Sequence, residues 1–129
     1  ETRRILETQT AALAALRATE QDIAMLEQAH MEFCQQVEAG ISGLEEDLLF
    51  HLKISECSRN SVLSSLIGMI TPGLLQMSRD LHTCDQGRYR EAFLEHERIL
   101  SAIKARDQIE AKRAMREHMN NTKVQKEAP

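Results

Sequence analysis

The chain has no tryptophan, one tyrosine and three phenylalanines, and only five glycines and two prolines punctuate its 129 residues. So few breakers exclude the many turns of a β-sandwich or barrel. Cysteine is scarce too: Cys34, Cys57 and Cys84 are odd in number, and no CxxC pair occurs. A disulfide framework and a zinc knuckle are both excluded, and reduced thiols in a cytoplasmic protein fit best. No membrane is implicated: the uncharged stretch 61–78 is interrupted by serines, Thr71, Gln76, two glycines and Pro72, which reads as a buried helix. No stretch of these residues reads as a signal peptide, so none is expected. With 16 Lys and Arg against 20 Asp and Glu, the net charge of −4 gives no global reason to bind nucleic acid. A Gly-rich phosphate loop, a GxSxG elbow and an HExxH helix are all missing.

What is abundant is Ala, Leu, Glu, Gln, Arg and Met, the strong helix formers. The length suits one domain, because two cores would each be marginal at this size. The expectation is an all-α antiparallel bundle of six or seven helices. The first spans about residues 1–18, with Arg3, Leu6, Thr10, Leu13 and Arg17 on one stripe and Ile5, Ala12 and Leu16 beside it. Thr19 and Asp22 form a capping-box start for a second helix ending at Gly40. A third covers about 42–58, and Asn60 caps a fourth that Pro72-Gly73 should kink or interrupt. Asp85 opens a fifth helix to about residue 105, and Asp107 a sixth to about residue 120. The polar tail, residues 122–129, is expected to fray. The six methionines read as core filler. The chain begins at Glu1 without a methionine and its helix starts at once, which suggests a fragment cut from a longer protein.

The histidines carry the chemistry. His51 follows Asp47 by four residues, so both project from one face of the third helix, next to Leu44 and Leu48. His96 lies on the Phe93/Leu100/Ile103 stripe, and His118 on the Ala111/Met115 stripe. His96 is about ten residues before the intervening turn and His118 about eleven after it. At ~1.5 Å rise per residue, an antiparallel hairpin sets them level with each other. A lone histidine on an apolar stripe is ordinarily a hydrogen-bonded core residue. An isolated buried Asp is costly without a partner. Asp47, His51, His96 and His118 together make a His3Asp ligand set for a divalent metal: Zn2+, with Ni2+ and Mn2+ as alternatives. The single Glu-x-x-His spacing, Glu27 to His30, is too little for a di-iron bundle. His30 and His82 read as solvated or structural. Arg3 and Arg17 are the cations on the first helix's inner stripe. Each either extends its head to solvent or clamps a ligand carboxylate.

Three segments resemble a known family. "RRILE" and the Ala-rich "AALAALRAT" at the start, "DLLFHLKISECSRN" at 47–60 and "EHERILSAIKARDQIEAKRAMREHM" at 95–119 are similar to the FCD domain, the C-terminal effector-sensing domain of GntR-type bacterial transcription regulators. The resemblance covers residues 1–121, leaving 122–129 as a tail. It implies metal binding by Asp47, His51, His96 and His118. It also implies a homodimer and a winged helix-turn-helix that binds operator DNA, lying outside these residues.

A cavity holding a dication beside Arg3 favours a small anion as effector: a hydroxy acid, a sugar acid or a dicarboxylate. Asn60 is a second candidate contact, through a hydrogen bond to an effector hydroxyl. Two other functions compete with this sensor, which is not an enzyme. A small His3Asp metalloenzyme would need a general base beyond Asp47, and a purely structural dimerisation module would not need an inward Asp at all.

Overall fold

A computed structural model describes the backbone of residues 1–80 and 86–127, and the side chains of residues 1–76 and 88–122. Six helices and no strand occur among the described residues: α1 (Thr2–Arg17), α2 (Glu20–Glu38), α3 (Leu44–Cys57), α4 (Ser61–Asp80), α5 (Gln86–Lys104) and α6 (Gln108–Glu127). No helix among them is long and apolar enough to cross a membrane.

The helix boundaries follow from local chemistry. Thr19 Oγ1 accepts from the Asp22 N–H, and Asp22 accepts from the Thr19 N–H, closing the capping box of α2. At the other end Gly40 takes φ +74°. The Ile41 N–H reaches the Gln36 carbonyl and the Gly40 N–H the Val37 carbonyl, a Schellman closure. Asn60 Oδ1 accepts from the N–H groups of Val62 and Leu63 at the start of α4. The α5–α6 turn is closed the same way as the end of α2, with Arg106 in the left-handed position at φ +59°. Its guanidinium reaches the Ala18 carbonyl, so the turn is tied to the end of α1.

Helix α1 packs against α6, α3, α5 and α4, and α2 packs against α3 and α5. The buried face of α1 is turned away from the expected stripe, of which Thr10 is buried, Arg3, Leu6 and Leu13 are half-buried and Arg17 is exposed. Glu7, Thr8, Thr10, Ala11, Ala14 and Ala15 turn inward, while Ile5 and Leu16 are exposed. Small side chains let the α1 backbone approach its neighbours closely, and the bulkier aliphatics are left on the outer side. The larger core cluster gathers alanines of α1 with Leu26, Phe50, Ile54, Ile99, Ile103 and Met115. A smaller one holds Phe33, Val37, Leu44, Leu48, Tyr89 and Ala92.

Three other expectations change. Helix α4 runs unbroken through Pro72, with the Thr71 hydroxyl donating to the Ile67 carbonyl beside it. Proline removes one backbone donor, which a helix of this length survives. Helix α6 continues to Glu127, so residues 122–127 are helical where a frayed tail is expected; Thr122 is held there by Arg88. Met115 and Met119 are core residues, but Met25, Met31 and Met69 are exposed. Cys34 and Cys57 are free thiols, and Cys84, His82 and Asp85 lie outside the described residues.

Candidate metal centre

Asp47 stands in the first turn of α3, where the helix N-terminus favours a carboxylate, and His51 follows one turn later. His96 comes from the buried face of α5 and His118 from that of α6. One donor atom from each of Asp47, His51, His96 and His118 lies within 4.8 Å of all the others. Asp47 Oδ1 is 2.8 Å from His96 Nε2 and 3.4 Å from His51 Nε2, and the Nε2 atoms of His51 and His118 are 3.1 Å apart. The three imidazoles are almost completely buried, and the Asp47 side chain, 17% exposed, is the one member open to solvent.

The imidazoles are held in two different ways. His51 Nδ1 faces Glu7, whose second oxygen meets Arg3 Nε. His118 Nδ1 lies 2.6 Å from Glu95 Oε1, which also accepts from Arg88 at 2.7 Å, while Asn121 donates to Glu95 Oε2 at 2.6 Å. His96 has no carboxylate at its Nδ1. Its ring is stacked on Phe50 at 4.5 Å and tilted against Phe33 at 4.9 Å.

Charge follows from these contacts. Burial raises the Glu7 pKa, but the charges of Arg3 and His51 outweigh it and bring the carboxyl to about 2. Burial also opposes ionisation of Asp47, yet contacts with His51 and His96 hold it well below the ordinary carboxylate range. His51 is lowered by burial but lifted to about 9 by the Glu7 carboxylate and by Asp47. Burial drives His96 to about 3 against the pull of Asp47, and it lowers His118 despite Glu95.

This donor set fits a divalent cation. Ionised carboxylates only accept hydrogen bonds, so Glu7 and Glu95 put protons on Nδ1 of His51 and His118. Their Nε2 atoms then face each other across 3.1 Å, a contact that requires one positive species, a proton or a metal ion, between them. Asp47 Oδ1 and both nitrogens of His96 are buried with no hydrogen-bond partner, although Asp47 and His96 are close. Such orphaned atoms cost roughly 1–3 kcal/mol each unless something binds them. One carboxylate oxygen and three imidazole nitrogens are donors suited to Zn2+ and its first-row neighbours.

A scan of family models gives the FCD domain over residues 1–121. The chain belongs to the FCD domain family. This FCD domain is 30% identical to the HTH-type transcriptional regulator LutR of Bacillus subtilis, over 94% of the chain and 57% of that protein. It is 33% identical to the Uxu operon transcriptional regulator of Escherichia coli, over 95% and 50% respectively. Among solved structures, Streptococcus agalactiae GntR superposes with a TM-score of 0.83 at 26% identity, covering 99% of this chain and 56% of that one. Escherichia coli McbR/YncC gives 0.79 at 25%, covering 97% and 64%. The chain thus spans about half the length of the curated relatives it matches. These curated relatives are named as transcriptional regulators.

Of the other residues singled out in the sequence, Arg3 of this FCD domain reaches the cluster indirectly, through Glu7 and His51. Asn60 is engaged at the α4 cap, and no described contact joins it to the four. Arg17 donates to the Ser58 carbonyl at 3.2 Å, its head at the bundle end. His30 is structural, not solvated: it is buried and stacked on Phe93 at 4.6 Å. Burial, with a smaller contribution from the neighbouring His96, lowers its pKa to about 4. Sequence reasoning missed Glu7 and Glu95. A signal for Glu7 exists, since it shares the Ala11/Ala14/Ala18 face and is the one carboxylate on it.

Proposed function

We propose that this domain binds one divalent metal, Zn2+ in the first instance, through Asp47, His51, His96 and His118. We further propose that it senses a small carboxylate metabolite there. The observation that carries the reading is the convergence of four donor atoms within 4.8 Å in a buried, partly unsatisfied cluster. When bound, the metal supplies a fixed positive charge and open coordination positions; zinc can expand to five ligands, and nickel or manganese prefers six.

The chain's own residues supply the rest. The cluster opens at Asp47, so an effector oxygen approaches from that side. Arg3 is 16% exposed at its side chain and can turn part of its guanidinium to a ligand carboxylate. Asn60 keeps an amide nitrogen for an effector hydroxyl while its oxygen caps α4. A hydroxy acid, a sugar acid or a dicarboxylate offers both groups. Residues 122–127, though helical, form a C-terminal extension beyond the sensing domain of residues 1–121.

The same proposal makes the domain a homodimer. Val62, Leu66 and Met69 on α4 and Ile5 and Leu16 on α1 are exposed aliphatics on two helices that pack against each other. A surface of this kind is suited to a second copy. Occupancy of the site would modulate operator binding by a winged helix-turn-helix N-terminal to residue 1, in the cytoplasm.

Calorimetric titration with such acids is the test. Binding is expected in the metal-loaded protein, abolished by chelation and weakened about tenfold or more by Arg3→Ala. Equal affinity before and after metal removal contradicts the mechanism.

A further inference from the structure

The geometry points to Glu7 and Glu95 as positioning residues of the metal centre, each fixing one imidazole so that its Nε2 lone pair faces the other donors. This inference rests on the metal reading above and deepens it.

An imidazole offers two nitrogens, and the one that carries the proton cannot bind a metal. A carboxylate at Nδ1 decides the matter, because it can accept a proton-bearing nitrogen but cannot face a bare lone pair favourably. Both carboxylates are built into place. Glu7, 1% exposed, is shared between His51 and Arg3 one turn earlier on α1. Glu95, 8% exposed, is shared between His118, Arg88 and Asn121. Arg88 also lies 3.5 Å from His118 Nδ1, and a donor there would force the opposite tautomer. The shorter contacts decide: Glu95 is 2.6 Å from Nδ1 and Arg88 is 2.7 Å from Glu95, so the arginine holds the carboxylate and the carboxylate holds the histidine.

The two pairs come from different parts of the fold. Glu7 belongs to α1, which supplies no ligand of its own, and it ties the N-terminal helix to the centre. The Glu95 group joins α5 to the far end of α6 through Asn121, with Thr122 on Arg88. His96 needs no such partner, because Phe33 and Phe50 orient its ring by packing. One ligand is thus set by stacking and two by hydrogen bonding.

The experiment measures Zn2+ affinity by competition with a chromogenic chelator in the wild-type chain and in Glu7→Gln, Glu95→Gln, His96→Ala and Glu117→Gln. Glu117 pairs with Arg113 on the surface and serves as the control. Glutamine keeps the shape but removes the charge that selects the tautomer. Losing such a partner ordinarily weakens metal binding about 10–100-fold, and that is expected for Glu7→Gln and Glu95→Gln, with no change in the control. Nitrogen-15 spectra of the Zn2+-loaded wild type give a readout that does not depend on the variants folding. Zinc on Nε2 and a proton on Nδ1 are expected for both His51 and His118. Wild-type affinity in both Gln variants, or coordination through Nδ1, overturns the inference. If His96→Ala loses zinc while both Gln variants keep it, the metal reading stands and the positioning role falls. If the wild type binds no zinc, both fall together.

Discussion

Replacing His96 by Ala is expected to abolish stoichiometric metal binding and the whole metal-dependent increment in thermal stability, while leaving the helical content. His96 is completely buried, it supplies one of the four converging donors, and its Nε2 lies 2.8 Å from Asp47 Oδ1. A metal that binds only the folded state stabilises it by mass action, about 4 kcal/mol at a thousandfold excess over Kd. Removing a buried ring from between Phe33 and Phe50 costs a further few kcal/mol through lost packing. An opposite contribution exists: the substitution also deletes the buried Nδ1, which has no hydrogen-bond partner and whose removal relieves roughly 1–3 kcal/mol. The variant and the wild type should therefore melt close together without metal and far apart with it. Thermal scans with added zinc and with chelator check this. A variant whose melting temperature still rises with zinc as the wild type's does would remove His96 from the centre.

Phe50→Ala is expected to be the most destabilising change that leaves all four ligands in place. Phe50 is completely buried in the larger core cluster. It stacks on His96 at 4.5 Å and is tilted against His30 at 5.7 Å. Truncating a buried phenylalanine costs about 3–5 kcal/mol. For a chain of this size that lowers Tm by roughly 10–20 °C. Metal stoichiometry should stay at one per chain, with weaker affinity because the His96 ring loses its support. Circular dichroism melts with metal analysis separate the two effects, and a fall of only a few degrees contradicts the packing account.

Much of this was legible from local signals. The capping box at Thr19 and Asp22, the glycine at position 40 and the Asn60 cap are chemistry of adjacent residues, so they mark helix ends without knowledge of the fold. The convergence of Asp47, His51, His96 and His118 was legible for a related reason. Asp47 and His51 are one turn apart, and His96 and His118 are nearly equidistant from one turn, so helix geometry alone brings each pair together.

What was not legible depends on neighbours distant in sequence. Glu7 and His51 are 44 residues apart, and nothing local says that they touch. The α1 face was misjudged because hydrophobicity favours the stripe of Leu6 and Leu13, which are only half-buried, whereas close packing selects the alanines. Arg106 takes a left-handed conformation that favours glycine, and it is held there by a contact to Ala18, 88 residues away. Helix α6 likewise runs on past Thr122, which Arg88 of α5 contacts, where polarity alone suggests fraying.

The most direct test of the metal-centred account is elemental analysis of the purified wild-type chain, joined to its melting temperature before and after chelation and after zinc or nickel is restored. The account predicts one divalent ion per chain, a large fall in melting temperature on chelation and its recovery on reconstitution. Protein that carries no stoichiometric metal, with a melting temperature that neither zinc nor nickel changes, would contradict it.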